Sequence, residues 1–117
     1  MEQIVPATQF DLRHTPLRDV NAALHAPDLT GDFVVRHPAG AHNVAVGLDA
    51  PVTVTVDGHV GYYAAGMNQR ADVVIHGNAG TGVAENMMSG TVWVKGDASQ
   101  SAGATAHGGL LVIEGNA

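Results

Sequence analysis

At 117 residues the chain has room for one domain, which buries roughly two-thirds of the surface its unfolded form exposes. An apolar share of 45% against 14% charged residues excludes disorder, while 4% aromatics and 15 glycines point to a core of small and β-branched side chains. A net charge of −6 offers no basic face for nucleic acid, and the absence of cysteine excludes disulfides, thiolate-held iron–sulfur clusters and a cysteine nucleophile on this chain.

The first segment, residues 1–30, carries one helix signal. Thr15 suits a cap and Pro16 a first helical position, with Leu17, Val20 and Leu24 following at helical spacing through His25. So short a helix is not stable alone, so it must lie on something, and a lid over the end of the body that follows is the natural use. The acidic start Met1-Glu2 is not a secretory n-region, and no apolar run approaches the ~20 residues that cross a bilayer. The expected setting is cytoplasmic, with no membrane partner.

From Gly31 to Ala117 the pattern changes to short β-branched runs broken by glycine: Phe33–Val35, Val44–Val46, Val52–Val56, Val73–Ile75, Val92–Val94 and Leu110–Ile113. These read as strands. Gly58, Gly77, Gly96 and Gly115 close the last four runs, each 19 residues after the one before. Val54, Val73, Val92 and Leu111 stand four residues before these anchors, and Val56, Ile75, Val94 and Ile113 two before. The position between them varies freely as Thr55, Val74, Trp93 and Val112, which is strand alternation nested in a long period.

A repeat this short cannot fold alone, so it must bury its inward face on its neighbours. Columns of like residues stacked every ~4.8 Å make a parallel β-helix, an all-β solenoid of 19-residue coils. Residues 31–50 fit the grid poorly, as a terminal coil does. At the other end Leu110–Ile113 would leave an apolar edge open. The expectation is a solenoid incomplete at its C-terminal end, covered by self-association or by coil pairing with another chain.

Candidate chemistry is sparse. Gly77-Asn78-Ala79-Gly80-Thr81-Gly82 lacks the helix or Gly-Lys-Ser/Thr that a phosphate loop needs, so Gly80 and its neighbours read as turn glycines. No histidine pair has metal-ligand spacing, and no metal is expected. His59, Asn78, Asp97 and Asn116 share the column after the anchors and read as a polar ladder bonding to turn backbone. Lys95 and Glu114 should pair on the surface. Asp72, Glu85 and Asp97 fall at different points of the repeat, so no acid cluster of the kind a β-helix carbohydrate-active or acyl-transfer enzyme needs is formed, and no catalytic residue is assigned. Trp93, Tyr62, Tyr63, Met67, Met87 and Glu85 are the candidate interface residues, with Trp93 on the outward strand column. Packing of Trp93 on the N-terminal helix is the alternative.

Two features carry a resemblance. Gly77-x-x-Gly80-x-Gly82 and the recurring strand-Gly-Asn/Asp-Ala units resemble the glycine-repeat (GXGXG) domain at the C-terminus of the large subunit of glutamate synthase. Ala45–Ala50, Gly61–Gln69 and Ala84–Gly90 look closer to the stand-alone glutamate synthase-like subunits of N-methylglutamate synthase (methylamine–glutamate N-methyltransferase) systems. The resemblance covers about residues 10 to 117 and includes Leu17–His25. It implies a right-handed β-helix that braces companion chains: an amidotransferase-like subunit and a flavin-dependent synthase subunit holding FMN and an iron–sulfur cluster. No catalytic residue of that family maps here. His59, where Asn or Asp is usual, and Ser99, in place of a repeat glycine, are departures. The C subunit of formylmethanofuran dehydrogenase and formyltransferase/hydrolase complexes shares the repeat but matches Tyr62–Met67 and Glu85–Met88 less well.

Overall fold

The computed structural model describes residues 7–117, so the Met1-Glu2 start lies outside the described residues. Strands β1 (Thr8–Asp11), β2 (Gly31–Arg36), β3 (Val52–Asp57), β4 (Asp72–Ile75), β5 (Thr91–Val94) and β6 (Leu110–Ile113) form one parallel sheet in sequence order. A parallel neighbour that is also the next strand in sequence requires the chain to travel once round between them, which makes the body a β-solenoid measuring 42 × 30 × 26 Å.

Register follows the glycine spacing. Val54 lies beside Val73, Val73 beside Val92 and Val92 beside Leu111, while Val56, Ile75, Val94 and Ile113 form the second file. All but Leu111 and Ile113 are buried, and each buried valine or isoleucine contributes roughly 1.5–3 kcal/mol by leaving water. The irregular coil is also visible. Gly31 lies beside Val52 (52 − 31 = 21), whereas Thr53 lies beside Asp72 (72 − 53 = 19), so the repeat tightens after β3.

The sequence contains a strand that spacing did not reveal. β1 pairs with β2, Thr8 beside Phe33, and so adds a rung to the same sheet before the helix. Of its four residues, Thr-Gln-Phe-Asp, the inward face holds one polar residue, Thr8, and one apolar one, Phe10, stacked on Phe33 at 6.3 Å, and their interval to β2 does not match the later period.

Helix α1 spans Leu17–Leu24. Pro16, not Thr15, is its N-cap: extended at ψ 144°, it makes no side-chain capping bond, but its carbonyl accepts from Val20 N–H at 3.2 Å. Val20 and Leu24 are buried, as a narrow apolar stripe requires. Asn21 then joins the helix to the coil beneath it. Its Nδ2 donates to Asn43 O (2.9 Å) and its Oδ1 accepts from Ala45 N–H (3.1 Å), satisfying backbone groups that elsewhere are met by a neighbouring coil.

Val44–Val46 is not a strand. Asn43, Ala45 and Gly47 have φ of 60°, 56° and 70°, so this run alternates between left- and right-handed backbone. The same alternation recurs at Tyr63, Ala65 and Met67, at Gly82, Ala84 and Asn86, and at Ser101, Gly103 and Thr105. Opposite the sheet the solenoid therefore has a second wall of turns. Coil-to-coil backbone bonds such as Tyr63 N–H to Thr81 O (2.9 Å), Ala65 N–H to Val44 O (2.9 Å) and Ala84 N–H to Ala64 O (2.9 Å) knit it together.

The anchor glycines sit where the strand wall turns the corner. A Cβ on Gly77 would stand 2.6 Å from the backbone of Gly58, and one on Gly96 2.7 Å from Gly77 O. The close approach lets Gly96 N–H reach Gly77 O at 3.1 Å and Gly115 N–H reach Gly96 O at 3.0 Å.

Candidate functional site

The corner column after the anchors is a hydrogen-bonded ladder. Asn78 N–H donates to His59 Nδ1 (2.8 Å), Asp97 N–H to Asn78 Oδ1 (2.9 Å) and Asn116 N–H to Asp97 Oδ1 (2.8 Å). Each polar side chain accepts from the amide one rung on, so these residues are spent on structure.

On the strand wall the outward file is Val34, Thr55, Val74, Trp93 and Val112. Trp93 is 37% exposed and far from the helix end of the solenoid, which sets aside packing against α1. Its ring carries Lys95 Nζ at 3.7 Å, its Nε1 donates to Glu114 Oε2 at 2.6 Å, and Lys95 reaches the same carboxylate oxygen at 2.9 Å. The Lys95 hydrogen bond holds the Glu114 carboxyl below its ordinary range; partial desolvation opposes this, and the Trp93 bond adds to the lowering. At the capped end Asp11 is likewise held well below the carboxylate range, chiefly by the side chain of Arg13.

The other candidates lie on the turn wall. Tyr62 (60% exposed), Met67 (44%) and Met88 (47%) project outward, Tyr62 stacked on His42 at 4.4 Å. Tyr63 is half-buried, its hydroxyl accepting from Asn86 Nδ2 at 3.0 Å, and Asn86 Oδ1 accepts in turn from the Thr105 hydroxyl. Glu85 is half-buried; its carbonyl accepts from Met67 N–H at 2.8 Å. Met87 is a correction. At 1% exposure it belongs to the core, because the local alternation turns it into the bore, and Met88 is the exposed member of the pair. Trp93 thus stands on a different wall from Tyr62, Tyr63, Met67 and Glu85, and the structure does not bring these residues into one patch.

Asn68 was missed as a site residue. It is fully buried, the one buried polar residue among those described, and its Nδ2 donates to Ala71 O (2.8 Å) and Ser89 O (3.1 Å) while Oδ1 has no protein partner. Moved by one period, Asn68 falls on Met87, itself a candidate interface residue by sequence, so the alignment of the two gives no sign that the position is buried. A cavity of about 260 Å³ near Asp28, Thr30, Asp49 and Pro51 is flanked by Arg70, whose Nε bonds Asp49 Oδ1 at 2.9 Å, so its one cationic side chain is already paired. Among the described residues no group of three or more His, Asp or Glu is placed to hold a metal ion, and no helix is long and apolar enough to cross a membrane. Asp72 opens β4, Glu85 lies on the turn wall and Asp97 in the corner ladder, so the three acids remain apart.

With this geometry in hand, comparison with known proteins gives one relative. The chain is 59% identical over 88 residues to Protein GlxC of Rhizobium meliloti (strain 1021), a match covering 71% of this chain. The chain spans 38% of the length of that curated relative. No family model matches the sequence, and no solved structure matches.

Proposed function

We propose that this chain is a non-catalytic scaffold of a glutamate synthase-like assembly, one that makes N-methylglutamate from methylamine and glutamate in the cytoplasm. The observation that carries the reading is the glycine-anchored solenoid itself, with corner ladders and turn walls consuming its polar side chains, in a sequence 59% identical to GlxC over 88 residues. On this reading FMN and an iron–sulfur cluster belong to a flavin-dependent synthase subunit, and amide chemistry to an amidotransferase-like subunit. Trp93 on one wall and Tyr62, Met67 and Met88 on the other are the anchors offered to them, their exposure being the supporting observation. The edge of β6, where Leu110 is 57% exposed, is on this reading a surface offered to another chain.

The test is affinity isolation of the tagged chain from cells expressing its neighbouring genes, read by mass spectrometry and visible absorbance. A retained flavoprotein that converts methylamine and glutamate supports the proposal. Recovery with formyl-transferring enzymes instead, or turnover by the isolated chain, refutes it.

A further inference from the structure

Two backbone amides of the solenoid are held by imidazole nitrogens. Tyr62 N–H donates to His42 Nδ1 at 2.7 Å, and Asn78 N–H donates to His59 Nδ1 at 2.8 Å. A backbone amide is only a donor, so each Nδ1 must carry a lone pair, which fixes both rings as neutral with the proton on Nε2. Farther along the corner column the same task falls to Asn78 Oδ1, which does not titrate, and to Asp97 Oδ1. His25 works the other way: its Nε2 meets Val46 O at 2.7 Å, a bond in which the ring donates and which either charge state can make.

We infer that His42 and His59 form an acid-sensitive latch on coils two to four: protonating either ring replaces an acceptor by a donor, releases the amide it holds and loosens the turn beside Tyr62. Neither amide has a second acceptor among the described residues. The surroundings do not offset the loss. Tyr62 stacks on His42 with ring planes 16° apart, which holds the ring in place but cannot restore a lone pair. Asp57 stands two residues before His59 and is in register with Arg36, and His76 stands two residues before Asn78, whose amide His59 holds. Arg36 faces Asp57 at 3.6 Å, and among the described residues neither His42 nor His59 is paired with a carboxylate.

The experiment measures amide exchange at Tyr62 and Asn78 in the full chain and in the His59→Asn and His42→Asn variants, at about pH 8 and about pH 5, across the range in which imidazole changes charge. Comparing chains at one pH cancels the intrinsic pH dependence of exchange. Asparagine already serves as acceptor in the His59 column, at Asn78, so His59→Asn keeps the bond and removes the titration. Expected is that Asn78 loses protection about fivefold in the native chain relative to His59→Asn at the acidic pH only, the weight of one hydrogen bond, with Tyr62 responding in the same way to His42→Asn. Equal protection at both pH values overturns the inference. Imidazole nitrogen NMR of the native chain decides independently of any variant: an Nδ1 that becomes protonated while the amide stays protected also overturns it.

Discussion

The strand wall and the turn wall of this solenoid bury similar columns by opposite means. On the strand wall the backbone is ordinary and the side chains are special: Val54, Val73 and Val92 fill one file in relaxed extended geometry. On the turn wall the side chains are ordinary and the backbone is special, with Ala45, Ala65 and Ala84 small and buried at φ of 56°, 54° and 55°. A left-handed residue other than glycine costs roughly 1–2 kcal/mol, so the turn wall carries strain that its coil-to-coil hydrogen bonds and the valine files offset. The strand wall drives folding, and the turn wall is held in shape by it.

The corner where the walls meet should give the largest effect. Gly77→Ala puts a methyl 2.6 Å from the backbone of Gly58, and backbone cannot step aside as a side chain can. A loss of about 3 kcal/mol is expected, read as a shift in the urea midpoint at unchanged slope. A near-neutral result would mean that the rungs are not in contact there.

Next in size, Val73→Ala empties a fully packed position and should cost about 2 kcal/mol, whereas Leu111→Ala, on the half-exposed last rung, should cost less than half of that despite removing more atoms. Equal costs would show that the β6 edge is covered in solution. On the turn wall Asn68→Ala removes the bonds to Ala71 O and Ser89 O and should cost about 1–2 kcal/mol. If Asn68→Met, copying Met87, proves as stable as the native chain, then the amide bonds are dispensable to that wall.

This division explains what the sequence disclosed. Strand columns are written in side-chain type, so Val54 through Leu111 and the glycine anchors could be aligned from spacing. The turn wall is written in backbone angles, and nothing in Val44-Ala45-Val46 distinguishes alternating handedness from a strand. The same blindness placed Met87 outside, among the large apolar residues suited to an interface, whereas the left-handed step at Asn86, φ 58°, precedes a side chain only 1% exposed. The pairing of Lys95 with Glu114 was legible because strand register fixes outward neighbours. That Trp93 and Tyr62 stand on separate walls was not, because the angle swept between them depends on those same turns.

A glycine substitution sharpens the contrast at smaller cost. Ala84→Gly relieves a left-handed alanine by about 1 kcal/mol but frees the unfolded chain and deletes a buried methyl, so a net loss of less than about 1 kcal/mol is expected. Ala79→Gly, at a buried position without positive φ, lacks the relief but keeps both losses and should cost about 1–2 kcal/mol. Parity between the two variants in thermal unfolding would contradict the alternation.

The smallest effect lies on the outer strand wall and is read by light rather than by stability. Trp93 is the sole tryptophan, so its fluorescence reports the contact with Lys95 and Glu114 without interference. The Glu114 carboxyl is lowered chiefly by Lys95, so its folded form keeps the charge to a more acidic pH than a free glutamate does. The sign follows. The charged form is favoured by folding, the contribution is complete above the ordinary glutamate range, and it is lost as pH falls through the lowered folded value. Trp93 emission should therefore change with a midpoint below that of an unperturbed glutamate, and Glu114→Gln should flatten the transition while leaving the fold intact, since the side chain is exposed. An unchanged transition in that variant would trace it to a different carboxyl group and detach Glu114 from the tryptophan.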